Sequence, residues 1–77
     1  MSKSNLELNL HAQQEGGALI LRFGESALDR MNAGDFREQA AEFLGGHQGP
    51  VHLDLRSVRF IDSSGVGAML HLSKLLP

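Results

Sequence analysis

Residues 51–76 read VHLDLRSVRFIDSSGVGAMLHLSKLL. Val51, Leu53 and Leu55 alternate with His52, Asp54 and Arg56, the period-2 pattern of a strand with one buried face. Phe60-Ile61 is a second, shorter apolar run, and the polar tetrad Asp62-Ser63-Ser64-Gly65 follows it directly. Beyond the tetrad, Val66, Met69, Leu70, Leu72, Leu75 and Leu76 form a broad apolar stripe at helical spacing, with Lys74 outside it. Strand, polar turn and helix together bring two hydroxyls and unpaired backbone N–H groups to a helix start, a place that favours negative charge. Ser63 or Ser64 is expected to cap that helix. Capping does not explain the two glycines, Gly65 and Gly67, which each cost roughly 1 kcal/mol of helix propensity relative to alanine. Their presence points to close approach of another backbone or a ligand. The tetrad is then either a cap alone or a cap that doubles as a phosphoacceptor or anion site.

Working outward, Leu6, Leu8 and Leu10 alternate with Glu7, Asn9 and His11, which predicts a first strand. Gln13-Gln14-Glu15-Gly16-Gly17 reads as a hairpin loop, and Ala18–Phe23 as a second strand dense enough in apolar residues to be covered on both faces. Residues 26–32 show no period. Phe36, Ala40, Phe43 and Leu44 predict a helix that starts at Asn32 or Asp35 and stops at Gly45-Gly46. A helix between the second and third strands implies a βαβ crossover. The fold class expected is α/β: a mixed sheet of about three strands packed with two helices, with one edge left open.

The chain has 77 residues, enough for one domain spanning 1–77. A chain of this size buries only about 60% of its unfolded surface. With 42% hydrophobic residues but no Trp or Tyr, the four Phe supply its large core side chains. The absence of cysteine excludes disulfides and thiolate metal sites and fits a reducing compartment. Net charge is −2 and the seven Lys and Arg form no run, so nucleic acid is not an expected partner. No signal peptide and no membrane-spanning stretch is read, and the cytoplasm is the expected location.

The residues Leu53-Asp54-Leu55, Val58 and Phe60-Ile61-Asp62-Ser63-Ser64-Gly65-Val66-Gly67, followed by the Leu-rich helix, resemble the STAS domain, and more narrowly the anti-sigma-factor antagonists of bacteria. Gly24 through Asp29 with Asn32-Ala33 resembles a looser version of that family's second conserved region. The resemblance implies a switch protein rather than an enzyme, with no cofactor of its own. The serine after the aspartate, Ser63, would be the phosphoacceptor, and Asp62, Ser64, Gly65, Val66, Gly67 and Asp29 would support it or form the partner interface. The implied partners are an anti-sigma factor with serine-kinase activity, which supplies ATP, and a PP2C-type phosphatase that resets the switch. Against that family's usual length the sequence stops after the Leu-rich helix, so a domain truncated at its C-terminus is expected.

Other chemistries find less in the sequence. A nucleophile elbow needs G-x-S-x-G, which the tetrad lacks, and His71 would lie about two helical turns away. His11, His47, His52 and His71 have no metal-binding spacing, so no metal site is expected. No glycine-rich fingerprint or P-loop accompanies the helix start. The main alternative is a STAS module without a sigma-factor partner: a scaffold or sensor subunit, or a domain attached to an anion transporter. A further expectation is self-association, with two copies completing one sheet.

Overall fold

Gly16 and Gly17 sit at φ +55° and +86°, the region that a two-residue hairpin turn requires and that glycine enters without strain. They join β1 (Leu10–Glu15) to β2 (Ala18–Phe23), with Glu15 opposite Ala18 and Leu10 opposite Phe23. The computed structural model describes residues 8–76, and it moves the first strand later than its leucines suggest. Leu8 precedes β1 and Leu6 lies outside the described residues, whereas Gln13, Gln14 and Glu15, read as loop, are strand. An edge strand tolerates this polar stretch because every residue of β1 after Leu10 is exposed.

The chain continues through β3 (Ala27–Leu28), α1 (Ala33–Leu44), β4 (Val51–Asp54), β5 (Phe60–Ile61) and α2 (Ser63–Ser73). The main sheet has order β1-β2-β4, with β2 and β4 parallel, so α1 provides the expected βαβ crossover. A separate two-stranded parallel sheet pairs Ala27 with Phe60 and Leu28 with Ile61. Two strands of two residues each carry no readable period, which is why β3 was read as irregular. The fold is α/β, a mixed three-stranded sheet with two helices.

Register assigns the faces. Leu10, Leu19, Leu21 and Phe23 share one face with Val51 and Leu53 and belong to the core. The opposite face carries Ile20 and Arg22 beside His52 and Asp54, so β2 is not covered on both sides as its apolar density suggested. On the covered face, Phe36, Ala40 and Leu44 of α1 are buried, and the Phe36 ring meets Phe23 edge to face at 5.1 Å and 71°. Phe43, expected in that stripe, is exposed. Gly45 donates its N–H to the Ala41 and Glu42 carbonyls and Gly46 takes φ +80°, ending α1 as expected. Asn32 precedes α1 without capping it, because its side chain receives the Asp29 N–H (3.0 Å) and donates to the Ala27 carbonyl (2.9 Å).

The apolar stripe of α2 differs from expectation most. Its buried residues are Gly65, Ala68 and Leu72, with Met69 half-buried, while Val66 and Leu70 are exposed, as are Leu75 and Leu76, which follow the helix end at Ser73. Among the described residues no helix is long and apolar enough to cross a membrane.

On the uncovered face, Asp54 accepts from Arg56 Nη2 (2.9 Å) and Arg22 Nε (3.0 Å). The Arg56 guanidinium and backbone N–H, followed by Arg22, hold its carboxyl far below the usual carboxylate range. A carboxylate depressed on folding stabilises the native state above its unfolded pKa of about 3.9 and loses that contribution as pH falls toward its folded value. Asp54→Asn is therefore expected to lower Tm by a constant amount above about pH 5, and the gap to wild type should close as pH drops below about 4. Thermal unfolding followed by circular dichroism from pH 2 to 7 checks this.

Candidate functional site

Asp62 determines how the tetrad folds. Its backbone is extended (φ −107°, ψ −172°), and its Oδ1 accepts the Gly65 N–H at 3.0 Å, which makes Asp62 itself the N-cap of α2. The cap expected from Ser63 or Ser64 is thus one residue earlier, because a carboxylate reaches the third N–H and suits the positive end of the helix better than a hydroxyl. The second oxygen, Oδ2, accepts the Arg30 N–H at 3.2 Å and ties the turn before α1 to the start of α2. The Asp62 N–H in turn donates to the Leu28 carbonyl at 3.4 Å.

With capping assigned to Asp62, both serine hydroxyls are spared: among the described residues neither makes a hydrogen bond. They point to different places. Ser63, first residue of the helix, is exposed, while Ser64 is half-buried and lines a cleft between α1 and α2. One helical turn on, Val66 and Leu70 flank the same outward face as Ser63, with 47% and 60% of their surfaces exposed.

The two glycines also differ. A Cβ on Gly65 would collide with the Leu28 carbonyl oxygen and the Ile61 side chain, so the close approach inferred from the sequence is to β3 and β5. Gly67 would meet nothing within 4 Å and faces open space. Asp29 serves its own turn, its Oδ1 accepting the Met31 N–H at 3.0 Å while its carbonyl accepts from Asn32 and Ala33. It is linked to the tetrad through the neighbouring Arg30 N–H, and its own side chain makes no hydrogen bond to the tetrad.

The structure adds residues that the sequence reading passed over. The α1–α2 cleft has a volume of about 390 Å³ and is lined by Arg30 and Arg37 together with Gly34, Ser64 and Gly67. Gly34 and Arg37 share one face of α1, but Arg30 joins them from the preceding turn, which no helical spacing announces. Leu70, part of the apolar stripe read from the sequence, stands on the outward face. Elsewhere, Val51, Leu53, Met69, Leu72 and Leu76 line an apolar groove of about 200 Å³ beside the open edge of β4.

A protein-family model described as "Mlab, STAS domain" matches residues 10–77, from the first residue of β1 through the helix that follows the tetrad. The chain belongs to the STAS domain family. No curated protein matches it. In this STAS domain the tetrad is thus a clamp made by Asp62 and Gly65 that leaves Ser63 and Ser64 unengaged.

The clamp gives the STAS domain a measurable asymmetry between its glycines. Gly65→Ala is expected to cost about 1–3 kcal/mol because a backbone carbonyl must move. Gly67→Ala should be stabilising by roughly 0.5–1 kcal/mol, since open space leaves only the helix-propensity gain. Asp62→Ala should cost about 1–2 kcal/mol by removing the cap, and Asp62→Asn much less. Urea unfolding of the four variants reads all of these.

Proposed function

We propose that this STAS domain is a phosphorylation-regulated anti-sigma factor antagonist whose phosphoacceptor is Ser63. The observation that carries this reading is the state of the Ser63 hydroxyl: exposed, without a hydrogen-bond partner, and standing among exposed Val66 and Leu70 because Asp62 has taken over the cap. A serine present only to cap the helix would engage one of its first N–H groups, and here Asp62 does that instead. In this reading the chain is a kinase substrate and not an enzyme, needs no cofactor of its own, and works in the cytoplasm.

The unphosphorylated form binds an anti-sigma factor with serine-kinase activity through the outward face of α2. The kinase transfers the γ-phosphoryl group of ATP to Ser63 Oγ; the O–H proton passes to a base of the kinase and ADP leaves. The phosphoserine adds about −1.5 to −2 charges at a helix start that accommodates them, so the fold is kept. On the docking face the same charge sits beside Asp62 and next to Val66 and Leu70, whose burial under a partner would then desolvate a dianion. Binding is lost without unfolding. A PP2C-type phosphatase restores the hydroxyl by hydrolysis of the phosphate ester.

Incubation with an anti-sigma factor kinase encoded in the same genome, with ATP, should add one phosphate that peptide mass mapping assigns to Ser63. Ser63→Ala should abolish that addition and keep partner binding, Ser64→Ala should keep both, and Ser63→Asp should weaken binding at least tenfold. Ser63→Asp binding as tightly as wild type sinks this mechanism.

The apolar groove at the β4 edge supports a second reading, a STAS module held permanently by a partner subunit without sigma-factor business. Under that reading Leu53→Asp abolishes partner capture while Ser63→Asp leaves it unchanged.

A further inference from the structure

Arg30 and Arg37 are the residues that the proposed switch does not use. Arg30 lies in the turn before α1 and Arg37 in its second turn, and both line the cleft between α1 and α2. Among the described residues neither guanidinium has an ion-pair or hydrogen-bond partner, although acids outnumber bases in this chain by nine to seven. The nearby carboxylates are committed elsewhere. Asp62 holds the Gly65 and Arg30 N–H groups and Asp29 the Met31 N–H, while Asp35, Glu38 and Glu42 fall on other faces of α1. The contrast is with Arg22 and Arg56, which share Asp54. Two exposed cations therefore converge on one concavity with no internal anion to balance them.

The surroundings fit a polypeptide better than a small anion. Gly34 and Gly67 border the cleft, and at each an added Cβ would meet nothing within 4 Å, which leaves room for another backbone to lie close. Ser64 offers an unengaged hydroxyl inside the cleft. One step round α2 from Ser64 and Gly67 stand Leu70 and then Val66, both exposed. A free inorganic anion has no use for that apolar border, and an exposed ion pair by itself contributes little. Guanidinium forks that receive a carboxylate, with aliphatic contacts beside them, make a composite surface.

We propose that the α1–α2 cleft is the docking site for an acidic segment of a partner protein, in which a Glu or Asp side chain is held by Arg30 and Arg37 and neighbouring aliphatic side chains cover Leu70 and Val66. The inference rests on the reading of the outward face of α2 as a docking face, but not on phosphorylation.

The test is selection of a random 12-residue phage-displayed peptide library on the immobilised full chain, followed by fluorescence anisotropy with the enriched peptides. Enriched peptides are expected to carry Asp or Glu next to Leu, Ile, Val or Phe. Their affinity should fall at least tenfold with Arg30→Gln or Arg37→Gln, with Glu→Gln in the peptide, and in 0.5 M NaCl, and should be unchanged with Arg59→Gln. All three substitutions are at exposed positions, and circular dichroism verifies that each variant is folded. No enrichment, enrichment without acidic residues, or insensitivity to both cleft arginines overturns the proposal. So does displacement of the peptide by a few millimolar inorganic phosphate at constant ionic strength, which reassigns the cleft to a phosphate ligand. Peptide binding that needs the arginines, beside a Ser63→Asp variant that holds the anti-sigma factor as tightly as wild type, defeats the switch alone; peptide binding that ignores the arginines, beside loss of anti-sigma factor binding in Ser63→Asp, defeats the cleft alone.

Discussion

The carboxylate of Asp62 is the contact on which the rest of this molecule depends. One oxygen closes the first turn of α2 through the Gly65 N–H, and the other holds the Arg30 N–H at the entrance to α1. A single side chain thus fixes the starts of both helices relative to each other. The second oxygen is what distinguishes this cap from a serine cap: a hydroxyl has one oxygen on a shorter side chain, whereas the two carboxylate oxygens reach two N–H groups in different turns. Because the acid does this work, Ser63 is released to solvent and Ser64 to the cleft, and Arg30 is anchored by its backbone while its guanidinium is left available. Stability and the candidate site rest on the same bond.

A second constraint acts on α2 from below. The Leu28 carbonyl approaches Gly65 so closely that no side chain fits between them, and Ala68 and Leu72 continue the same buried line. Small residues let the helix backbone lie on the small β3–β5 sheet. The bulkier Val66 and Leu70 are turned out as a consequence and form a small exposed apolar patch beside Ser63. The main sheet is also one-sided, with both helices on the face of Leu21 and Phe23 and the Asp54–Arg22–Arg56 group on the other. The exposed surfaces that border the tetrad are accordingly the outward face of α2 and the cleft beside it.

Much of this was legible beforehand. Val51–Asp54 as a strand, the helix ended by Gly45-Gly46, the crossover between parallel strands and the helix after the tetrad all follow from strong periods and unambiguous punctuation. Sequence and structure part where local pattern and tertiary environment disagree. Gln13–Glu15 looked like loop because it is polar, yet an edge strand facing water needs no apolar face. Ala18–Phe23 looked doubly covered because it is dense in apolar residues, yet only Leu19, Leu21 and Phe23 are fully buried. Asn32 has the composition of a cap and the position of one, but its side chain is taken up by Asp29 and Ala27.

The sequence by itself determined the order of the main-sheet strands and both helices, the tetrad at a helix start and the membership in the STAS family that its motif announces, because these depend on period, turn chemistry and residues adjacent in the chain. Only the tertiary structure decided which side of α2 is buried, which group caps it and which arginines share a cleft. The reason is physical. Helix α2 is apolar around most of its circumference, so its own pattern cannot choose an inward face. That choice is made by the Leu28 carbonyl, more than thirty residues away in sequence, which admits Gly65 and nothing larger.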